Sequence, residues 1–182
     1  MDKYYLDAKS TVLMIIDIQE RLCAVMERGD EVVRKTGILI AAAKRLGVPI
    51  IYVEMYPKGL GRTVSGLTDN LKDAHHFEKI TFSGCSGEVM SCLIQLKRRK
   101  IIVAGMETHV CVFQTVRDLL RDKYRVFVAS DAVCSRDDDN RRNGLELMAS
   151  MGAVVTNTET VFFDLLKRAG TDVFKELSPL IK

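Results

Sequence analysis

The sequence lacks the features that would place it in several specialised classes of protein. No long hydrophobic run is present, and the apolar stretch Val12–Ile16 is too short for export or for crossing a bilayer. The five cysteines form neither a C-x-x-C pair nor a Cys/His cluster with zinc spacing. Because scattered cysteines in odd number are typical of reducing compartments, we expect a cytoplasmic protein with no signal peptide and no membrane partner.

A strong excess of charge of one sign is also missing. The 27 basic and 24 acidic residues leave a net charge of +3, which is too small to indicate a nucleic-acid partner. The short basic run Lys97–Lys100 ends a predicted helix, where we expect it to complement the helix dipole and face water. No glycine occurs in Asp17–Arg21, after the first predicted strand, which argues against a nucleotide-binding turn. The expected partner is therefore a small-molecule substrate.

What is present is the composition of an ordinary globular domain. Of the 182 residues, 47% are hydrophobic and 28% are charged, so we predict a single domain over residues 1–182. Apolar runs predict strands at Thr11–Ile16, Val48–Val53, Phe77–Ile80, Ile101–Ala104, Tyr124–Ala129 and Ala153–Thr156. Amphipathic stretches predict helices at Asp30–Leu46, Ser86–Lys97, Thr108–Asp122, Asp137–Met151, Thr160–Ala169 and Asp172–Ile181. This alternation predicts an α/β fold with a mostly parallel sheet covered on both faces.

Local signals refine this outline. We expect Asp30 to cap the N-terminus of its helix and Gly105 to end the fourth strand. The stretch Met55–His76 contains Pro57 and three glycines and is predicted to be a long, functional loop.

Polar residues at the carboxyl ends of the predicted strands are the first candidates for a site, because ligands bind there in open parallel sheets. They are Asp17–Gln19, Glu54 and the segment Gly105–Cys111. Cys111 falls in the first turn of a helix, where free N–H groups and positive potential favour a thiolate nucleophile.

Each candidate also has a plain structural interpretation. Cys111 could be a small buried hydrophobe, Asp17 a helix cap or a paired structural acid, and Lys79 a surface lysine. A redox-sensing role for Cys111 would need a resolving cysteine such as Cys85 or Cys134 close by, which spacing cannot show.

Several motifs, taken in order, resemble those of the isochorismatase-like cysteine hydrolases. The matching stretches are Met14–Gln19, Glu78–Ser83, Gly105–Val112, Asp131–Arg136 and Gly152–Glu159. The resemblance covers nearly the whole chain and implies a three-layer α/β/α fold with a six-stranded sheet in the order 3-2-1-4-5-6. It also implies a catalytic group composed of Asp17, Lys79 and Cys111.

The resemblance further implies how these residues act. A cis peptide is expected between Met106 and Glu107, with the backbone N–H groups of Glu107 and Cys111 forming an oxyanion hole. Asp17 would be the general base and Lys79 a fixed cation. Since members that cleave the enol ether of isochorismate do not need the cysteine, Cys111 favours hydrolysis of a C–N bond in an amide or carbamoyl substrate. Ether hydrolysis and a non-catalytic binding role are the alternatives.

No cofactor and no catalytic metal are expected. Nicotinamidases of this family hold a metal with an Asp-x-His motif and a further histidine, whereas this sequence has Glu54 and Tyr56 at the matching positions. We predict His75 and His76 to be exposed loop residues.

Further candidates for the substrate pocket are Gln19, Tyr56, Phe82 and His109, each of which could instead serve local packing or hydrogen bonding. Family members often form dimers or larger assemblies, so the resemblance also implies a homo-oligomer.

Overall fold

The computed structural model describes residues 2–181 as a single layered α/β/α arrangement around one parallel sheet. The strands are β1 (Thr11–Ile16), β2 (Ile50–Met55), β3 (His75–Lys79), β4 (Lys100–Met106), β5 (Arg125–Cys134) and β6 (Val154–Thr156). They pair in the order β3-β2-β1-β4-β5-β6, which confirms the predicted fold class and strand order.

Helices follow most strands and cover the sheet. They are α1 (Glu20–Cys23), α2 (Gly29–Arg45), α3 (Pro57–Leu60), α4 (Ser65–Thr68), α5 (Gly87–Leu96), α6 (Phe113–Arg121), α7 (Asp138–Ser150), α8 (Thr158–Leu166) and α9 (Asp172–Leu177). A π-helical turn, Thr108–Val112, leads into α6, and short 3-10 helices span Asp2–Tyr4 and Ser178–Ile181. Within residues 2–181, no helix combines the length and apolar character needed to cross a membrane.

The fully buried strand β1 shows why the sheet needs cover on both faces. Leu13 and Ile15 pack in one apolar cluster with side chains of α2 and α8, whereas Met14 and Ile16 pack in another with side chains of α5 and α6. Neighbouring residues of a strand point to opposite faces, so a continuous apolar run is what two covered faces require.

The prediction that Gly105 ends the fourth strand was wrong. Strand β4 continues through Gly105 to Met106, with Gly105 paired to Ile16. A Cβ atom on residue 105 would lie 2.1 Å from the carbonyl oxygen of Ile16, and φ is +140° there. Only glycine permits this approach, which brings the carboxyl ends of β1 and β4 together at the predicted site.

Other boundaries also differ. Helix α2 begins at Gly29, so Asp30 lies in its first turn rather than at its cap. Strand β5 runs on to Cys134, past the polar Asp131, whose carboxylate accepts hydrogen bonds from the N–H and hydroxyl of Thr158. The predicted long loop contains α3 and α4, and it ends where β3 begins at His75.

The basic run does more than face water. The Lys100 side chain is buried, and its Nζ lies 2.6 Å from Oδ2 of Asp7. Arg98 donates hydrogen bonds to the carbonyl oxygens of Ala8 and Thr11. These residues therefore fix the N-terminal segment against the amino end of the sheet.

Candidate active site

A buried ion pair joins the ends of β1 and β3. Lys79 Nζ lies 2.6 Å from Oδ2 of Asp17, and the two side chains are 2% and 0% exposed. The same ammonium group donates to the carbonyl oxygens of Thr81 and Phe82, at 3.2 and 3.1 Å. A lysine ammonium has three N–H donors, so each of them has an acceptor.

The second carboxylate oxygen of Asp17 is unusual. Oδ1 is buried, and no described side-chain or backbone group forms a hydrogen bond with it. Burial raises the pKa of Asp17 to about 6, although the charge of Lys79 and its hydrogen bond to the carboxylate act to lower it. Asp17 also has a positive φ of 53°, which turns the chain sharply where β1 ends. The result is a carboxylate with one free acceptor and a pKa close to neutrality.

Cys111 reaches the same place from the neighbouring strand. It lies in the π-helical turn after β4, beyond a cis peptide between Met106 and Glu107, and is 7% exposed. Burial and, to a smaller extent, the Asp17 carboxylate raise the pKa of the thiol to about 12, even though the charge of Lys79 acts to lower it. Desolvation therefore opposes the thiolate that the position at the helix end favours. A base must remove this proton.

Asp17 and Cys111 line one cavity of about 130 Å³. The residues that line it are Asp17, Leu22, Met55, Leu60, Phe82, Glu107, Val110 and Cys111. Of the further pocket candidates, Phe82 is part of this wall.

Gln19, Tyr56 and His109 are not among the described residues that line the cavity. The Gln19 amide is used by backbone, donating to the carbonyl oxygens of Met55 and Gly61 and accepting from the N–H of Met55. Tyr56 is 54% exposed and lies on the outer surface. His109 Nδ1 lies 3.0 Å from the hydroxyl of Ser135. Gln19 thus fixes the backbone around the site, and His109 connects the π-helical turn to Ser135.

The turn that carries Cys111 is held by contacts that the sequence did not suggest. The Glu107 carboxylate accepts hydrogen bonds from the backbone N–H and Nε of Arg136, at 3.0 and 3.1 Å. Thr115 donates to the carbonyl oxygen of Cys111 at 2.6 Å and accepts from the N–H of Gly84 at 2.8 Å. Thr115 lies one helical turn after Cys111, and this spacing is the one feature of the sequence that could have predicted the contact. The oxyanion hole formed by Glu107 and Cys111 stays a prediction.

The structure also brings together a group that could hold a metal ion. Glu54, His76 and Glu78 place one ligand atom each within 4.8 Å of one another. His75 and His76 are exposed, as predicted, but both belong to β3 rather than to a loop. Arg62 Nη1 donates to Glu54 and Glu78, while Thr63 donates twice to Glu54. Neighbouring residues of a strand face opposite ways, so Glu78 points away from the face on which Lys79 meets Asp17.

In that cluster, the positive charge between the carboxylates is already supplied by Arg62. The parallel register of Glu54 with Glu78 brings the acids together, which the separate motifs could not show. Catalysis at Asp17 and Cys111 without a metal ion stays a prediction.

All five cysteines are free. Cys134 packs in the apolar cluster on the other face of the sheet from Cys111. Cys85 is closer, since its Sγ lies 3.6 Å from the carbonyl oxygen of Thr115, and burial raises its pKa to about 12. A buried thiol of this kind is a poor resolving group for redox chemistry.

Known proteins resemble this chain in sequence and in fold. The model of the isochorismatase domain matches residues 11–160. Isochorismatase family protein 1A of Dictyostelium discoideum is 38% identical over 96% of this chain and 87% of its own length. Among solved structures, the MAR1 ribonuclease of Caenorhabditis elegans is 34% identical with a TM-score of 0.93, covering 97% of this chain and 92% of that one.

A more distant structure shares the fold alone. The YcaC gene product of Escherichia coli, described as an octameric hydrolase of unknown specificity, is 21% identical with a TM-score of 0.89. The alignment covers 97% of this chain and 89% of that one. Since the family model and the Dictyostelium relative both match over most of its length, the chain belongs to the isochorismatase family.

Proposed function

We propose that the protein is a cysteine hydrolase that cleaves the C–N bond of a small amide or carbamoyl substrate through a thioester on Cys111. One observation carries the proposal: a buried carboxylate, paired to Lys79 through one oxygen and without a partner among residues 2–181 at the other, shares a small cavity with a thiol. A raised carboxylate pKa beside a protonated nucleophile suits general-base catalysis.

In the first half-reaction, Asp17 takes the thiol proton of Cys111, and the sulfur attacks the carbonyl carbon of the substrate. The backbone N–H groups of Glu107 and Cys111 stabilise the resulting oxyanion. Asp17 then gives its proton to the leaving nitrogen, the C–N bond breaks, and ammonia or an amine departs. Lys79 keeps Asp17 in place and balances its charge.

In the second half-reaction, water attacks the thioester carbonyl carbon while Asp17 accepts a proton from it. The tetrahedral intermediate collapses, the C–S bond breaks, and Asp17 returns the proton to the sulfur of Cys111. The products are a carboxylic acid and the starting enzyme.

The test is replacement of the nucleophile. Cys111→Ala should lower ammonia release from a panel of small amides and carbamoyl compounds by about 10³-fold or more. Cys92→Ala is the matched control, because Cys92 is also buried but does not line the cavity. Mass spectrometry of quenched enzyme should find an acyl adduct on Cys111. Full turnover by Cys111→Ala would overturn the mechanism.

Other activities have separate outcomes in the same screen. Pyruvate release from isochorismate would support the ether hydrolase alternative, and a complete lack of turnover would support a binding role. The ribonuclease among the structural neighbours makes RNA a further substrate to include. No basic residue is among the described residues that line the cavity, although contacts to phosphates need such residues.

We further propose a homo-oligomer in solution and a cytoplasmic location. Aromatic side chains of Tyr4, Tyr5 and Phe163 are 63%, 50% and 46% exposed around one surface depression, which provides apolar area for contact. Light scattering coupled to gel filtration gives the mass of the assembly. A monomer would contradict the proposed homo-oligomer.

A further inference from the structure

We propose that the cavity at Cys111 selects small, uncharged acyl groups and rejects those that carry a carboxylate. This inference rests on the proposed function for its substrate class, but the selection itself is a property of the cavity. It is carried by the size of the cavity, its apolar walls and the signs of its charges.

Size is the first constraint. The cavity measures about 130 Å³, whereas pockets for drug-sized ligands are about 300–1,000 Å³. Its side walls are Leu22, Met55, Leu60, Phe82 and Val110. An acyl group held there contacts hydrocarbon on most sides, so it must be short and must lack polar groups beyond the reacting carbonyl.

Charge is the second constraint. The described residues that line the cavity include two acidic residues, Asp17 and Glu107, and no basic residue, so the lining offers an anion no opposite charge. The charge of Lys79 acts on Cys111, but the Lys79 donors are taken by Asp17, Thr81 and Phe82.

Arg136, which binds the carboxylate of Glu107, offers little help to a substrate carboxylate. Its backbone N–H and Nε are both engaged by the Glu107 carboxylate, and its side chain is 66% exposed to water. A substrate carboxylate would therefore lose its hydration without gaining a counter-ion from the described residues that line the cavity, which is unfavourable for an ion. Isochorismate, a dicarboxylate, falls in the rejected class.

Alkylation tests the selection without any need for turnover. Iodoacetamide and iodoacetate are nearly equal in size and differ in charge, and peptide mass spectrometry gives the rate for Cys111 with each. We expect the ratio of the amide rate to the acid rate to be at least about tenfold higher in the folded protein than in the urea-denatured chain. Equal ratios in the two states would overturn the proposal.

A matched pair of variants locates the cause. Phe82 is 53% exposed at the wall of the cavity, so a long polar side chain fits there. Phe82→Arg should raise the iodoacetate rate severalfold by supplying the missing cation, whereas Phe82→Gln should not. If both variants raise the rate equally, access rather than charge controls the selection and the proposal is wrong.

A substrate pair separates this inference from the proposed function. Butyramide and succinamate share the amide and the chain length, but succinamate ends in a carboxylate. We expect kcat/KM for ammonia release to be at least about 100-fold higher for butyramide. Equal hydrolysis of both would leave the hydrolase intact and refute the selection. If the whole panel of amides and carbamoyl compounds is left unhydrolysed while the alkylation ratio is as expected, the hydrolase is refuted and the selection is supported.

Discussion

Two lysine–aspartate pairs lie at opposite ends of the same sheet and differ in what surrounds them. Lys79 meets Asp17 at the carboxyl end, and Lys100 meets Asp7 at the amino end, with an Nζ to Oδ2 distance of 2.6 Å in both. Asp17 is completely buried, whereas the Asp7 side chain is 30% exposed. Residue type and distance are therefore the same, and only the surroundings differ.

The hydrogen bonds explain how the surroundings act. Burial acts to raise the pKa of Asp7, but hydrogen bonds from Lys100 and Ser10 outweigh it and lower the pKa to about 2. Asp17 has one oxygen without a partner among the described residues, and burial raises its pKa to about 6. The Asp7–Lys100 pair, whose carboxylate oxygens both accept hydrogen bonds, stabilises the fold. The Asp17–Lys79 pair leaves one carboxylate oxygen free to accept a proton during catalysis.

The largest difference between the pairs should be in activity. Asp17→Asn removes the proton acceptor, so we expect kcat/KM with the best amide substrate to fall on the order of 10³-fold. Asp7→Asn should stay within about twofold of the unmodified protein. Ammonia release under steady-state conditions measures both. Comparable losses in the two variants would mean that Asp17 has no chemical role.

The second-largest difference should be in the contribution of each pair to the free energy of unfolding. Lys79→Met leaves the Asp17 carboxylate buried without a cation and should lower the free energy of unfolding by about 3 kcal/mol at pH 8. Lys100→Met should cost only about 1 kcal/mol, since water reaches Asp7. Urea denaturation gives both values.

A double variant sharpens the stability difference. Asp17→Asn combined with Lys79→Met removes both buried charges, so it should recover part of the loss caused by Lys79→Met alone. No recovery would indicate that packing, rather than an uncompensated charge, sets the cost.

The pH profile of activity should follow Asp17 and not Asp7. Because Asp17 must be ionised to act as the base and burial raises its pKa to about 6, kcat/KM should be full above neutrality and fall tenfold per pH unit below about 6. Asp7→Asn should leave this limb unchanged. A profile that keeps rising toward alkaline pH would instead identify direct ionisation of Cys111, whose pKa burial raises.

The smallest effect should be the acid stability given by Asp7. Its pKa is lowered from the ordinary 3.8 to about 2 in the folded protein, so its contribution is present above pH 3.8 and is lost as the pH falls through 2. After allowance for solvent screening, this contribution is on the order of 1 kcal/mol. Urea denaturation between pH 5 and 2.5 should show a shallower loss of stability in Asp7→Asn. If the free energy of unfolding falls equally steeply with pH in the variant and the unmodified protein, the stabilising role of the Asp7–Lys100 pair is contradicted.

Much of the fold could be predicted from local sequence, because each strand and helix has its own periodicity. Six apolar runs predicted the six strands, and the run Thr11–Ile16 matched β1 in full. Gly105 was misjudged because its role depends on Ile16, a residue of another strand. Gln19 was assigned to the pocket because sequence shows a polar residue near the site but not the carbonyl groups that occupy its amide.

By itself, the sequence determined the alternation of strands and helices, the strand ends at which a site had to lie, and the motifs that resemble a family. Only the tertiary structure decided which lysine–aspartate pair is buried, because Asp17 and Lys79 are 62 residues apart and meet only when β1 and β3 share a sheet. The size and charge of the cavity likewise depend on side chains from separate segments. Desolvation and pKa are properties of an environment, and an environment exists only once distant residues have packed together.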